Sequence, residues 1–266
     1  MRRTTRLSLA TGIAFTLAAA MTTAHAGDKH KDKDNTFSDL VTPDAIFGSG
    51  NSNGGFTVDR HQGVEVGLRG KTRFPAPVEN GDNGDGTYSY PAGDACPGFG
   101  FAPFPLCLNT PKWSFDWSVN TDYAGGTGNK LDDFVYQLGM DADPGPGTDF
   151  TLFDPITPNA VPPAWDHSLG TNATGNGAGI EDVDPPTYLA NLGTFNVAQN
   201  SWNYEFFNNI GTSLASFNPA GDGNYVVFLR AIDPAKNKVV AESVIQILTG
   251  AAAPVKRNKI KLPKVK

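Results

Sequence analysis

The sequence predicts an all-β fold: an antiparallel β-sandwich or jelly-roll-like single domain with long Gly/Pro-rich loops. Three observations carry this expectation. Apolar and polar residues alternate with period two in several separate runs, turn-forming clusters divide those runs, and no helical period intervenes. The 30 Gly and 20 Pro among 266 residues, with 11% aromatic and 18% charged residues, supply turn chemistry around aromatic strands.

In chain order, residues 1–26 read as a secretory signal peptide. Arg2, Arg3 and Arg6 make a positive start, residues 7–21 are apolar, and Ala24-His25-Ala26 is a small-x-small cleavage site. An uncleaved anchor would need about 20 predominantly apolar residues. This run is shorter and contains Ser8, Thr11, Gly12 and Thr16. The expectation is therefore a secreted protein, extracellular or at the cell surface with the periplasm as a further destination, and no transmembrane segment after cleavage.

Residues 27–40 form a charged lead segment, expected to be flexible, in which Lys29, Lys31 and Lys33 mix with Asp28, Asp32 and Asp34. Residues 41–250 are the expected sandwich domain. Within it, Phe56 to Arg60 reads as a strand, and Val64, Val66 and Leu68 alternate with polar or small residues. The clearest case is residues 112–120, where Trp113, Phe115, Trp117 and Val119 alternate with Lys112, Ser114, Asp116 and Ser118. That pattern describes a half-buried strand with its aromatic face inward. Phe134, Tyr136, Leu138 and Met140 repeat the alternation, as do Trp202, Tyr204 and Phe206, and then Tyr225, Val227, Leu229 and Ala231. Residues 239–248 are more continuously apolar, which suits a central strand buried on both faces. Turn clusters occupy residues 80–86, 124–129, 143–147, 219–224 and 233–237. Asp85-Gly86 and Asp222-Gly223 each precede an aromatic-led strand, where Gly can supply positive φ.

Residues 251–266 are a basic tail with Lys256, Arg257, Lys259, Lys261, Lys264, Lys266 and no acid. A solvated, disordered end is the leading expectation for such a run, with a short edge strand or an anchor to an anionic surface as alternatives. Without the signal segment, 18 basic residues face 27 acidic ones, a formal charge of −9. Residues 35–254 alone carry nine basic and 24 acidic residues, so an acidic body bears a basic tail. Such a body repels phosphates, and nucleic acid is not an expected partner.

Cys96 and Cys107 lie in the Pro-rich stretch 91–111, and in an oxidising compartment they are expected to form a disulfide. Too few thiols and histidines lie nearby for a metal site.

Several phrases together carry a resemblance. They are Gly-Gly-Phe-Thr-Val-Asp-Arg at 54–60, Gly-Val-Glu-Val-Gly-Leu-Arg at 63–69, residues 113–120, Leu131-Asp132-Asp133, Thr-Asn-Ala-Thr-Gly-Asn-Gly at 171–177, and residues 196–202. As a set they resemble a family of uncharacterised bacterial secreted proteins, some of which carry a C-terminal sorting anchor of the PEP-CTERM type. The resemblance covers about residues 41–247 and implies a secreted β-rich protein, with no established catalytic residues to transfer. The basic tail stands here in place of the anchor's Pro-Glu-Pro motif and hydrophobic span.

Catalytic signals are weak. Gly50-Asn51-Ser52-Asn53-Gly54 matches Gly-x-Ser-x-Gly, but a nucleophile elbow needs a strand before the Ser and a helix after it, and here a strand follows. Outside the signal segment the only histidines are His30, His61 and His167. Asp166-His167-Ser168 reads as a surface loop, because sequence neighbours point different ways and rarely form a relay. Asp132, Asp133 and Glu205 lie on or beside strands and are candidates for a glycosidase pair, with solvent-facing positions as the favoured alternative.

Oxygen-rich acidic loops make calcium the cofactor to consider, with Asp82 and Asp85, or Asp141, Asp143 and Asp149, as weak candidate ligands lacking EF-hand spacing. Turn formation is the competing role for those residues. Trp165, His167 and Asn172 are the loop residues best placed by sequence to meet a ligand. The functional expectation is a non-enzymatic β-sandwich protein of the matrix or cell surface that binds polysaccharide or protein. The alternative is a secreted carbohydrate-active enzyme, a glycoside hydrolase or lyase, on a jelly-roll scaffold.

Overall fold

A computed structural model describes residues 35–48, 51–72, 81–94, 111–157, 167–182, 184–203 and 218–265. The strands are β1 (Thr36–Asp39), β2 (Phe56–His61), β3 (Val64–Thr72), β4 (Thr87–Tyr90), β5 (Trp113–Asn120), β6 (Val135–Asp141), β7 (Phe150–Phe153), β8 (Ser168–Gly170), β9 (Ile180–Glu181), β10 (Val197–Trp202), β11 (Gly223–Asp233) and β12 (Lys238–Thr249). They form two packed sheets, an all-β sandwich. The larger sheet has the order β1-β2-β3-β5-β10-β8-β9 and the smaller β4-β12-β11-β6-β7. All pairings are antiparallel except β4 with β12, which is parallel, so the smaller sheet is mixed. Among the described residues there is one α-helix, α1 (Pro185–Leu192), capped by Asp184, whose side chain accepts from the Thr187 N–H at 2.9 Å. No helix among the described residues is long and apolar enough to cross a membrane.

Alternation in the sequence sets the sandwich interior. Val64, Val66 and Leu68 of β3, the four large residues of β5, and Tyr225, Val227, Leu229 and Ala231 of β11 all enter one buried cluster. Trp113 stacks on Tyr225 across the two sheets at 5.5 Å, and the Trp113 indole N–H donates to the Pro219 carbonyl. Such aromatic pairs combine large buried area with a preferred ring geometry. Of the run Trp202, Tyr204 and Phe206, Trp202 is the last residue of β10 and the two later residues lie outside the described ones.

Other expectations change. Part of the lead segment, expected to be flexible, is strand β1, paired with β2 through Thr36 with Val58 and Asp39 with Phe56. Gly86 has the positive φ expected of it, +82°, but Gly223 does not; Gly223 opens β11, opposite Thr249. The half-buried reading of β5 fails on its polar side, since Ser114, Asp116, Ser118 and Asn120 are all fully buried.

The tail is also ordered rather than free. Its chain returns over the outer face of the smaller sheet, where Ile260 and Leu262 pack on Val226, Phe228 and Val244. This covering fits the more continuously apolar run at 239–248, since β12 has the sandwich core on one face and the tail against Val244 on the other.

On this covered face the Phe228 ring fills the space left by Gly139, its partner in register on β6. The ring is held by an edge contact to Phe150 at 5.0 Å and by the Arg230 guanidinium 4.5 Å from its centroid. A Cβ at 139 would overlap the ring. Gly139→Ala is expected to cost about 1–3 kcal/mol of stability by overpacking. Urea unfolding of the purified variant measures this, and a loss below about 0.5 kcal/mol would mean the ring moves aside freely.

Candidate functional site

Side chains able to do chemistry concentrate on the outer face of the larger sheet. The strand pleat puts Glu65, Arg69 and Lys71 of β3 on the face opposite the core, beside Asp116, Ser118 and Asn120 of β5 and Gln199 of β10. Asp116 lies between two cations: its Oδ2 accepts from Arg69 Nε at 2.7 Å and its Oδ1 lies 3.0 Å from Lys71 Nζ. The Asp116 side chain is fully buried, and those of Arg69 and Lys71 are 5% and 7% exposed. Two buried cations with one carboxylate need further acceptors or electron-rich neighbours.

A strap formed by residues 41–48 and 51–54 supplies them. Arg69 Nη1 donates to the Ser52 and Gly54 carbonyls at 2.9 and 2.7 Å, and Lys71 donates to Asn51 Oδ1. Arg69 also lies over the Phe56 ring at 4.4 Å and Lys71 over Phe47 at 5.1 Å, both within cation–π range.

The strap is tied down along its length. Glu65 accepts from the Thr42 N–H at 2.7 Å and from Arg60 Nε at 2.6 Å, while Arg60 reaches on to Asp39. Burial pushes the Glu65 carboxyl above its usual range, and these donors only partly offset it. Gln199 accepts from the Ile46 N–H and donates to the Asp44 carbonyl, both at 2.8 Å. Gly177 and Gly179 N–H groups donate to the Ala45 and Ile46 carbonyls, so the 171–179 loop clasps the strap from the other side. The result is a polar layer closed over by its own chain.

The sequence-predicted residues are dispersed. His167, expected in a surface loop, is fully buried in the core, with its ring 4.8 Å from Trp117 and 5.6 Å from Trp202. Its Nε2 lies 2.5 Å from the Pro155 carbonyl and its Nδ1 3.1 Å from Asn200 Nδ2, which fits an Nε2–H tautomer accepting at Nδ1. Asn172 is part of an amide staple: its Oδ1 accepts from Asn120 at 2.8 Å and from Asn196 at 2.9 Å, and its Nδ2 donates to the Asp122 carbonyl. Ser52 is exposed in the strap, with β2 following it and no helix. Asp132 and Asp133 are exposed in a single 3₁₀ turn, where Asp133 accepts from the Lys130 N–H. Trp165, Glu205, Cys96, Cys107 and the signal segment lie outside the described residues.

The calcium candidates organise backbone. Asp82 accepts from the Gly84 N–H, Asp85 from the Thr87 N–H and hydroxyl, and Asp143 from the Gly145 N–H. Buried Asp141 accepts from the N–H groups of Asp149 at 2.7 Å and Asp143 at 3.1 Å. Among the described residues no group of three or more His, Cys, Asp or Glu side chains is arranged to hold a metal ion. In comparisons with protein-family models, curated proteins and solved structures, nothing matches this chain.

Glu65, Arg69, Lys71, Asp116 and Gln199 were not identifiable as a group from sequence. The available signal was charge at alternate positions of β3 and β5, which ordinarily marks a solvated face.

Two outcomes follow for stability. Asp116→Asn strands two buried cations and is expected to cost about 3–5 kcal/mol, measured by urea unfolding at neutral pH. Burial pushes the Asp141 carboxyl up to about 6, against the pull of its backbone donors. With the folded value above the unfolded one, its contribution is complete below about pH 4 and lost as pH rises through about 6. Wild type should therefore lose on the order of 2–3 kcal/mol relative to Asp141→Asn between pH 4 and 7. A pH-independent difference between the two proteins would refute this.

Proposed function

We propose that this chain is an exported, non-enzymatic β-sandwich that acts at the cell surface or in the extracellular matrix by binding polysaccharide or another protein. Export rests on the N-terminal charge, apolar and cleavage pattern. The observation that carries the non-enzymatic part is the commitment of the carboxylates on the larger sheet. Asp116 is bracketed by Arg69 and Lys71, Glu65 by Arg60 and the Thr42 N–H, and the whole layer is roofed by the strap.

A general acid must be within hydrogen-bond reach of a substrate proton or oxygen, and glycoside hydrolysis asks for two such carboxyl groups across an open site. These carboxyl groups face protein instead. The aromatic residues of β5 and β10 are likewise engaged in the core, with Trp117 5.3 Å from Trp202 in an edge contact. What a partner meets is the outside of the sandwich: its loops, its edges and its covered faces.

Screening the mature protein on a glycan array, with reducing-sugar release measured on every glycan bound, tests the reading. Binding without release is the expected result. Time-dependent release of reducing sugar that scales with protein concentration would overturn it in favour of a carbohydrate-active enzyme.

A further inference from the structure

The basic tail lies across the outer face of the smaller sheet in a defined orientation. It runs back against the direction of β12. The Val255 N–H donates to Gln246 Oε1 at 2.8 Å, Arg257 donates to the Val244 carbonyl and lies 4.9 Å from the Phe37 ring centroid, and further on Arg230 Nη1 donates to the Pro263 carbonyl at 2.8 Å. Between these ties Ile260 and Leu262 sit on Val226, Phe228 and Val244. Arg257, Ile260 and Leu262 are turned toward the sheet, the first two brought to one side by the 3₁₀ turn at Arg257–Lys259, and Lys256, Lys259, Lys261 and Lys264 are all exposed. None of these four lysines is ion-paired with a described residue. Elsewhere on the domain Arg60, Arg69, Lys71, Arg230 and Lys236 have carboxylate partners, whereas Lys112, Lys130 and Lys238, like the tail lysines, make no ion pair with a described residue but lie on three separate segments.

From this we infer that the outward lysines of the docked tail form a binding row for an acidic polysaccharide. This deepens the binding function proposed above and rests on it. Charge directs the ligand there, because the domain is otherwise strongly acidic and a polyanion is repelled from the remaining surface. Shape favours a linear polymer, as the lysines follow a chain held against a sheet, with one 3₁₀ turn at Arg257–Lys259. Docking also weighs against a lipid bilayer. A membrane-binding amphipathic segment buries its apolar side among acyl chains, and here that side is occupied by the sheet. Holding the row in place beforehand lowers the ordering cost that a free tail would incur on binding.

The test compares the full mature protein with two variants of equal net charge. One replaces Lys256, Lys259, Lys261 and Lys264 by Gln; the other replaces Lys112, Lys130, Lys236 and Lys238 by Gln. The probes are dextran sulfate, polygalacturonate, neutral dextran, and vesicles containing phosphatidylglycerol. Wild type should bind the two acidic polymers and not neutral dextran, with affinity falling steeply from about 20 to about 300 mM salt. The tail variant should bind about tenfold more weakly and the control variant within about twofold of wild type.

An unchanged tail variant, or an equal loss in both variants, would overturn the assignment of the row. Tighter binding to the vesicles than to either acidic polymer would replace the polysaccharide by a lipid surface. Lysine-independent binding of a neutral glycan on the array would leave the proposed function standing while removing this inference.

Discussion

The fold depends on neutralising a buried polar face. β5 runs through the middle of the larger sheet with aromatic residues on one side and Ser114, Asp116, Ser118 and Asn120 on the other, and both sides are removed from water. Burying Arg69 and Lys71 beside it is tolerable only because Asp116 lies between them and the strap carbonyls, with the Phe47 and Phe56 rings, complete their surroundings. The requirement is mutual. The strap buries Val41, Ala45, Ile46 and Phe47, and it is also held by the charges and amides that it shields, Glu65, Arg69, Asn120 and Gln199 among them.

The smaller sheet solves the same problem with different chemistry. Its outer face is apolar around Val226, Phe228 and Val244, and the tail covers it with Ile260 and Leu262. Both ends of the described chain meet at this side of the molecule: Asn35 donates to the Glu242 carbonyl, and Arg257 of the tail lies over Phe37 of β1. The sheets are further joined at their margin, where Asp59 accepts from the Glu242 N–H and Ser243 donates to the Thr57 carbonyl. A sandwich whose two outer faces are each covered by a segment of the same chain presents little bare sheet. Loops and covering segments form much of the surface that a partner can reach.

This arrangement bears on what the polar residues are for. Acidic side chains that composition alone offers to calcium or to catalysis act in the described regions as acceptors for turn N–H groups, as Asp82, Asp85, Asp141 and Asp143 do. Amides act the same way at longer range, with Asn120, Asn172 and Asn196 joining β5, the 171–179 loop and the approach to β10. Strand-rich chains with long loops need many such ties, since loop backbone has no ladder to satisfy it.

The all-β class, the turn clusters and the core phase of β3, β5, β6 and β11 were legible from period-two alternation, because the pleat forces alternate side chains to opposite faces. Trp113, Trp117 and Trp202 belonged to the core on that reading, and they do. Alternation separates two faces but does not say what lies above the polar one. The roles of Asp116, of His167 and of the tail were therefore decided only by tertiary structure. Each depends on partners far away in sequence, as with Gln199 and Ile46, 153 residues apart, or on a segment whose charge suggested solvent while its alternate Ile260 and Leu262 found an apolar sheet. Local pattern determined which way each side chain points along its strand; long-range packing determined whether it meets water.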